Sequence, residues 1–287
     1  MAGIAAEGPN AEQVKYWNDQ GPKWVTLQAL LDVQLRPLGL RAIDRAAVKT
    51  GERILDVGCG CGETTLELAG RVGPSGTVAG IDLSTMMLDR ARQRAREAGV
   101  EQVRFENADA QTYAFPRASV DLLFSRFGVM FFIDPVTAFT NLRRALRPGG
   151  RLAFVCWQSL QQNPWMVVPL AAVMQHVALP PPPAPDAPGP FAFADAERVR
   201  GILTHAGVRA INFEPVDETL TIGGSGALDQ AVDFVLQIGP VAAALRAAGP
   251  GAHATVAAAV RDAVAPFHTP QGVRMAAAAW IVTGRCE

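Results

Sequence analysis

The residues best able to do chemistry are concentrated in one short segment, Ile54-Leu55-Asp56-Val57-Gly58-Cys59-Gly60-Cys61-Gly62. An apolar run enters a glycine-rich turn there, and helix-forming residues leave it. Glycine accepts positive φ and lets the backbone approach a ligand closely. A loop of this kind at a helix start can hold a pyrophosphate, for which the fingerprint is G-x-G-x-x-G. In this chain Glu63 stands at the third glycine position, and Asp56 just precedes the first. Two carboxylates beside a pyrophosphate would repel it, whereas they suit a ligand carrying an ammonium and a sulfonium. Asp82 ends the next apolar run, 24 residues after Gly58, where an acid can accept both ribose hydroxyls. Asp109 follows the third run, where a carboxylate can receive an adenine amino group.

S-adenosylmethionine is a ligand of that description. The elements that must position these acids read as strands over Arg53–Val57, Thr77–Leu83, Val103–Ala108, Val120–Phe127 and Arg151–Trp157. Helices alternate with them. One covers Glu63–Ala69. Another follows an N-cap at Ser84, carries Met87, Leu88, Ala91 and Ala95 at helical spacing, and ends at Gly99. A third opens at Asp134-Pro135, presents Phe139, Leu142 and Leu146 on one face, and stops at Pro148-Gly149-Gly150. Strands and helices in this rhythm mean βαβ units and a parallel sheet covered on both faces. The first fifty residues read as helical with a break at Pro37. Beyond Trp157 the pattern gives a helix over Pro164–Ala178 and a stiff proline-rich connection over 180–190. A helix over Ala194–Ala206, a strand near Ile211–Leu220 and a Gly223–Gly226 loop follow. Ala227–Pro266 is helical in character, and Val273–Thr283 supplies a last strand.

The segments ILDVGCGCGETT, GIDLSTMML, ENADAQTYAFP, DLLFSRFGVMFF and LRPGGRLAFV together resemble the class I S-adenosylmethionine-dependent methyltransferases. The likeness is to the small-molecule group that includes the quinone-biosynthesis enzymes, and it covers roughly residues 45–160. It implies an α/β, doubly wound, Rossmann-like fold whose seven-stranded sheet is mostly parallel with an antiparallel last strand. Asp56, Gly58, Cys59, Gly60 and Gly62 would then cradle the methionine part of the cofactor, with Thr65 adding a hydroxyl near its carboxylate. Asp82 would hold the ribose. Leu83, Met87, Asp109 and Ala110 would lie along the adenine, and Ser125 would offer its backbone carbonyl to the amino group. In related enzymes N-terminal helices close over the cofactor, so Tyr16 or Trp17 is expected to shield the methyl site.

The whole of 1–287 then reads as one domain: an N-terminal helical lid over 1–50, a cofactor-binding core over 51–160, and insertions over 161–193 and 221–272 above the acceptor site. Those insertions and the end of the fourth strand are rich in apolar and aromatic residues. The expected methyl acceptor is therefore a small, mostly apolar or aromatic metabolite, met by Phe127, Phe131, Trp157 and His176. No catalytic base is assigned, since the four histidines match no triad or ligand spacing.

Composition narrows the field. A formal net charge of −1 over 287 residues lacks the basic face of a phosphate-neutralising nucleic-acid binder. Four cysteines make no disulfide framework, and Cys59-x-Cys61 lacks the second pair that a zinc site needs. No apolar run is long enough to span a membrane, and no signal peptide opens the chain, so the expected location is cytoplasmic. Two rival readings stay open: an NAD(P)-dependent Rossmann oxidoreductase, and a non-catalytic S-adenosylmethionine-binding accessory protein.

Overall fold

The computed structural model describes residues 8–179, 181, 184 and 186–286. The first five strands pair in parallel: β1 (Arg53–Val57), β2 (Thr77–Asp82), β3 (Val103–Asn107), β4 (Val120–Arg126) and β5 (Leu146–Trp157). β1 and β4 are buried along nearly their whole length, which is why they read as largely apolar runs rather than alternating ones. The sheet is completed by β6 (Arg209–Ile222), the two-residue β7 (His268–Thr269) and β8 (Gly272–Arg285). Strand order is β3-β2-β1-β4-β5-β8-β6, with β7 paired to β8 off the main path. β8 runs antiparallel to both β5 and β6, so the expected reversed strand is present and β7 adds a short eighth member. The order reverses between β1 and β4. In open α/β sheets that switch point leaves a crevice at the carboxyl ends of the strands.

Helices α1 (Ala11–Thr26) and α2 (Gln28–Arg45) precede the sheet. The expected break at Pro37 does not occur: Pro37 lies inside α2, and the actual break falls at Leu27. Burial of Leu31, Leu35, Leu38, Ala42 and Ile43 outweighs the hydrogen bond that proline forfeits, and Val33, four residues back, is exposed. α3 (Glu63–Val72), α4 (Thr85–Glu97) and α5 (Pro135–Ala145) make the crossovers between parallel strands. The N-caps expected of Ser84 and Asp134 are made, accepting from Met87 N and Thr137 N respectively. Pro148-Gly149-Gly150 does not separate α5 from β5 but lies inside β5. Gly149 N donates to Cys286 O, and Cys286 N donates to Gly150 O, so the far end of β8 keeps this stretch in the sheet.

Beyond β5 come α6 (Pro164–Val173) and α7 (Ala196–His205). The alanine-rich stretch divides into α8 (Leu228–Val235), α9 (Gly239–Ala248) and α10 (His253–Val264). Gly239-Pro240 and Gly249-Pro250-Gly251 supply the breaks. α6 packs on α9 and α10, forming a helical layer beside β8. Residues 180, 182, 183 and 185 of the proline-rich connection lie outside the described residues. Its later part is tied to the β4 side by Gly189 N donating to Met130 O. No single described helix is long and apolar enough to cross a membrane.

Candidate functional site

At the carboxyl end of β1 the chain turns over the end of β2, with Gly58 N and Cys59 N both donating to Ile81 O at 2.9 and 3.1 Å. Gly58 has φ +69°. A Cβ placed on it would lie 2.7 Å from Gly128 Cα, so the β1 loop and the segment after β4 cross backbone to backbone. Gly128, unread in the sequence, is the other half of that crossing: its own Cβ would sit 2.6 Å from Val57 O. Ser125 Oγ fastens the pair, donating to Val57 O at 2.7 Å and accepting from Gly128 N at 3.2 Å. This buried hydroxyl positions the crossing; the resemblance had pointed only to the backbone carbonyl of Ser125. Gly62, φ +82°, packs against Ala91 of α4. Gly60 differs from both. At φ +53° its Cβ would meet only Met87 Sδ, at 3.9 Å, leaving an open cradle.

The acids converge on this loop in unequal ways. Asp56 is fully buried, and its Oδ2 accepts from Thr64 Oγ1 and Thr65 Oγ1, each at 2.7 Å. Its Oδ1 has no partner among the described residues. Thr65 therefore spends its one proton on Asp56 and cannot donate it to a ligand carboxylate, which corrects the role expected of it. Glu63 is not a free charge beside the ligand either. Arg36 Nη1 binds it at 2.6 Å from α2, and Arg126 at the end of β4 pairs with its other oxygen. The repulsion of a pyrophosphate rests on Asp56 and Asp82 alone.

Asp82 Oδ2 accepts from Gly60 N at 2.8 Å, and Oδ1 accepts from Ser84 N at 2.9 Å. Burial pushes the Asp82 carboxyl above its ordinary range, partly offset by the hydrogen bonds from Ser84, Gly60 and Leu83. Asn107 Nδ2 holds the backbone at this corner by donating to Asp82 O and Leu83 O. Met87 is buried beneath the loop, and Leu83 is half-buried. Asp109 and Ala110 are buried at the end of β3. Asp109, however, is already engaged: Asn10 Nδ2 donates to its two oxygens at 2.9 and 2.8 Å, joined by Gln111 N and Thr112 Oγ1. An amide NH2 from the N-terminal segment thus sits where an adenine amino group was expected. Nothing in the sequence around Asn10 signals this partner 99 residues away.

α1 lies across the end of β2 and the start of α4. Asn18 Nδ2 donates to Leu83 O, Asn18 Oδ1 accepts from Thr85 N, and Gly21 packs against Ser84. Of the two candidate shielding residues, Trp17 turns inward, its ring edge-on to Phe131 at 4.7 Å. Tyr16 is 42% exposed and packs on the outer edge of Trp17. Phe127, at φ +62°, stacks on Trp157 with ring centroids 4.1 Å apart, and Trp157 contacts Trp165 of α6 at 5.5 Å. His176 is not part of this aromatic group. It stands exposed past the end of α6, whose buried face is Trp165, Met166, Leu170 and Val173. Burial pushes the Cys59 thiol well up and the Cys61 thiol up to about 12, so neither supplies a thiolate at neutral pH. The described residues hold no cluster able to bind a metal ion.

Asp56 carries a pH signature. Burial, opposed by the Thr65 and Thr64 hydrogen bonds, raises its carboxyl from 3.8 to about 6. A raised carboxyl binds its proton more tightly when folded. Its contribution to stability is therefore fullest below the unfolded value and is lost as pH rises through about 6. A cationic ligand needs the ionised form, so proton competition should weaken its binding about tenfold at pH 5 relative to pH 7.5. Calorimetric titration at the two pH values checks this, and Asp56→Asn should flatten the difference.

An open glycine cradle, a buried carboxylate oxygen lacking a donor, and a second carboxylate at the next strand end fit a ligand with an ammonium and a ribose. The comparisons with known proteins agree. Residues 54–150 match the family model described as a methyltransferase domain. The chain is 40% identical to the aklanonic acid methyltransferase DauC of Streptomyces sp. (strain C5) over 118 residues, 41% of this chain and 54% of that protein. The match thus spans about half the length of that relative. It is 30% identical to the O-methyltransferase cnsE of Penicillium expansum over 208 residues, 72% of this chain and 68% of that one. Among solved structures, the YcgJ protein of Bacillus subtilis superposes with a TM-score of 0.57 at 18% identity, covering 87% of this chain and 97% of that one, a likeness of fold. With the loop, the acids, the strand order and these relatives in agreement, the chain belongs to the S-adenosylmethionine-dependent methyltransferases.

Proposed function

We propose that the protein transfers a methyl group from S-adenosylmethionine to a small, mostly apolar or aromatic metabolite. The observation that carries this reading is the Oδ1 of fully buried Asp56, unpartnered among the described residues, at the start of the loop whose Gly60 leaves room for a ligand. An unsatisfied buried carboxylate oxygen costs stability unless a donor arrives, and an ammonium supplies one. When bound, S-adenosylmethionine would supply an activated methyl group to the acceptor's lone pair. The chain aligns and excludes water. Asp56 and Gly58 to Gly62 hold the methionine part, Asp82 the ribose, and Leu83, Met87 and Ala110 the adenine side. Trp17 covers the methyl position from α1, and Phe127, Phe131 and Trp157 form the acceptor wall.

Two measurements decide among the readings. Calorimetric titration should show binding of S-adenosylmethionine and S-adenosylhomocysteine and none of NADH; binding of NADH alone would restore the oxidoreductase. Labelled methyl transfer across a panel of aromatic acceptors then separates enzyme from accessory protein, which would bind cofactor and label none.

A further inference from the structure

A cavity away from the glycine loop opens between α1 and the α8–α10 layer. It measures about 360 Å³, in the range of small-molecule sites, and is floored by Leu236, Ala242 and Leu245. Its polar rim is Lys23 of α1, Arg246 of α9 and His253 at the start of α10. No carboxylate lines it. Among the described residues neither Lys23 nor Arg246 makes an ion pair or a side-chain hydrogen bond, although sixteen ion pairs occupy other basic side chains. The two cations feel one another: burial and the Arg246 guanidinium both lower the Lys23 ammonium from its ordinary value. Like charges held together over an apolar floor cost free energy that a bound anion would recover.

The elements that line the cleft also carry rings that pack toward the end of β4. Trp24, next to Lys23, meets Trp17 at 5.5 Å, and Trp17 meets Phe131. On the other side Leu236 and Ala242 adjoin Val235 and Val241, which pack around Trp165, and Trp165 leads through Trp157 to Phe127. The indole N–H of Trp165 is buried without an acceptor among the described residues.

We propose that this cleft binds a small organic anion, a molecule with an apolar ring body and a carboxylate that Lys23 and Arg246 clasp. The cleft shares no lining residue with the glycine loop, so the inference stands apart from the transferase reading. Guanidinium and ammonium supply charge-assisted donors, and the apolar floor takes the body.

The test titrates the full chain with 2-naphthoate and with its uncharged analogue 2-naphthamide. Wild type should bind the acid at least about tenfold more tightly than the amide, and K23Q/R246Q should erase that preference. S-adenosylhomocysteine titrated into the same double variant should bind as in wild type, showing that the fold is intact. Equal affinity for acid and amide, binding of neither, or a preference that survives in K23Q/R246Q overturns the proposal. So does inorganic sulfate displacing naphthoate at equal concentration, which would mark a site for small anions without a body. Failure of wild type to bind S-adenosylhomocysteine strikes the transferase reading instead, because the naphthoate ratio is measured without cofactor.

Discussion

Asp82→Ala should lower the affinity for S-adenosylmethionine by at least a hundredfold. Two contributions add. A carboxylate accepting two ribose hydroxyls makes two charge-assisted hydrogen bonds, each worth about 1.5–3 kcal/mol. Together these correspond to roughly a hundredfold to ten-thousandfold in dissociation constant. The same carboxylate ties down Gly60 N and Ser84 N, so its loss also frees the open glycine and the first turn of α4. Asp82→Asn keeps one acceptor oxygen and should fall between wild type and Ala. Calorimetry reads both, and thermal denaturation in the absence of ligand shows whether the loop or the whole fold has suffered. An affinity within about threefold of wild type for Asp82→Ala would remove the ribose role.

Gly128→Ala should strongly destabilise the site by adding a single methyl. Gly128 has φ −77°, within reach of any residue, so the cost is steric. The new methyl would meet Val57 O at 2.6 Å and Gly58 Cα at 2.8 Å, both backbone atoms in a buried loop that cannot rotate away. Forcing the two loops apart should cost about 3 kcal/mol. For a chain of this size that is a fall in Tm of roughly 5 °C, with loss of cofactor binding because Gly58 to Gly62 move with the crossing. Gly70→Ala is the matched control. A Cβ there meets nothing within 4 Å on an α3 turn, so the change should be neutral or mildly stabilising. Equal melting temperatures for the two variants would mean that the crossing gives way easily.

The strands and caps were legible because local pattern controls them. Ile54, Leu55 and Val57, like Leu122 to Phe124, are apolar because both faces of the sheet are covered, and Asp134-Pro135 is a strong helix opening. The glycine loop, Asp56 and Asp82 were legible for a chemical reason, since their order at strand ends has few other uses. What escaped depends on partners distant in sequence. The two arginines that neutralise Glu63 lie 27 and 63 positions away, and Asn10 reaches Asp109 across 99. Gly128 looks like an ordinary turn residue until Gly58 is placed against it. Pro37 misled because a local rule lost to the burial of a helix face, and His176 because an apolar neighbourhood in sequence did not keep it inside.

The placement of β8 bears on how the chain reaches this state. β6 touches the rest of the sheet through β8, which threads between it and β5 although Ile222 at the end of β6 and Gly272 at the start of β8 lie fifty positions apart. Until β8 is made, therefore, the open side of β5 and, once it emerges, both sides of β6 stay unpaired, exposing strand edges of the kind that chaperones cover. Closure waits on a long-range insertion, the slow class of folding event. The rate at which the native sheet forms should thus be set by β8, whatever the speed at which the glycine loop and its parallel strands assemble.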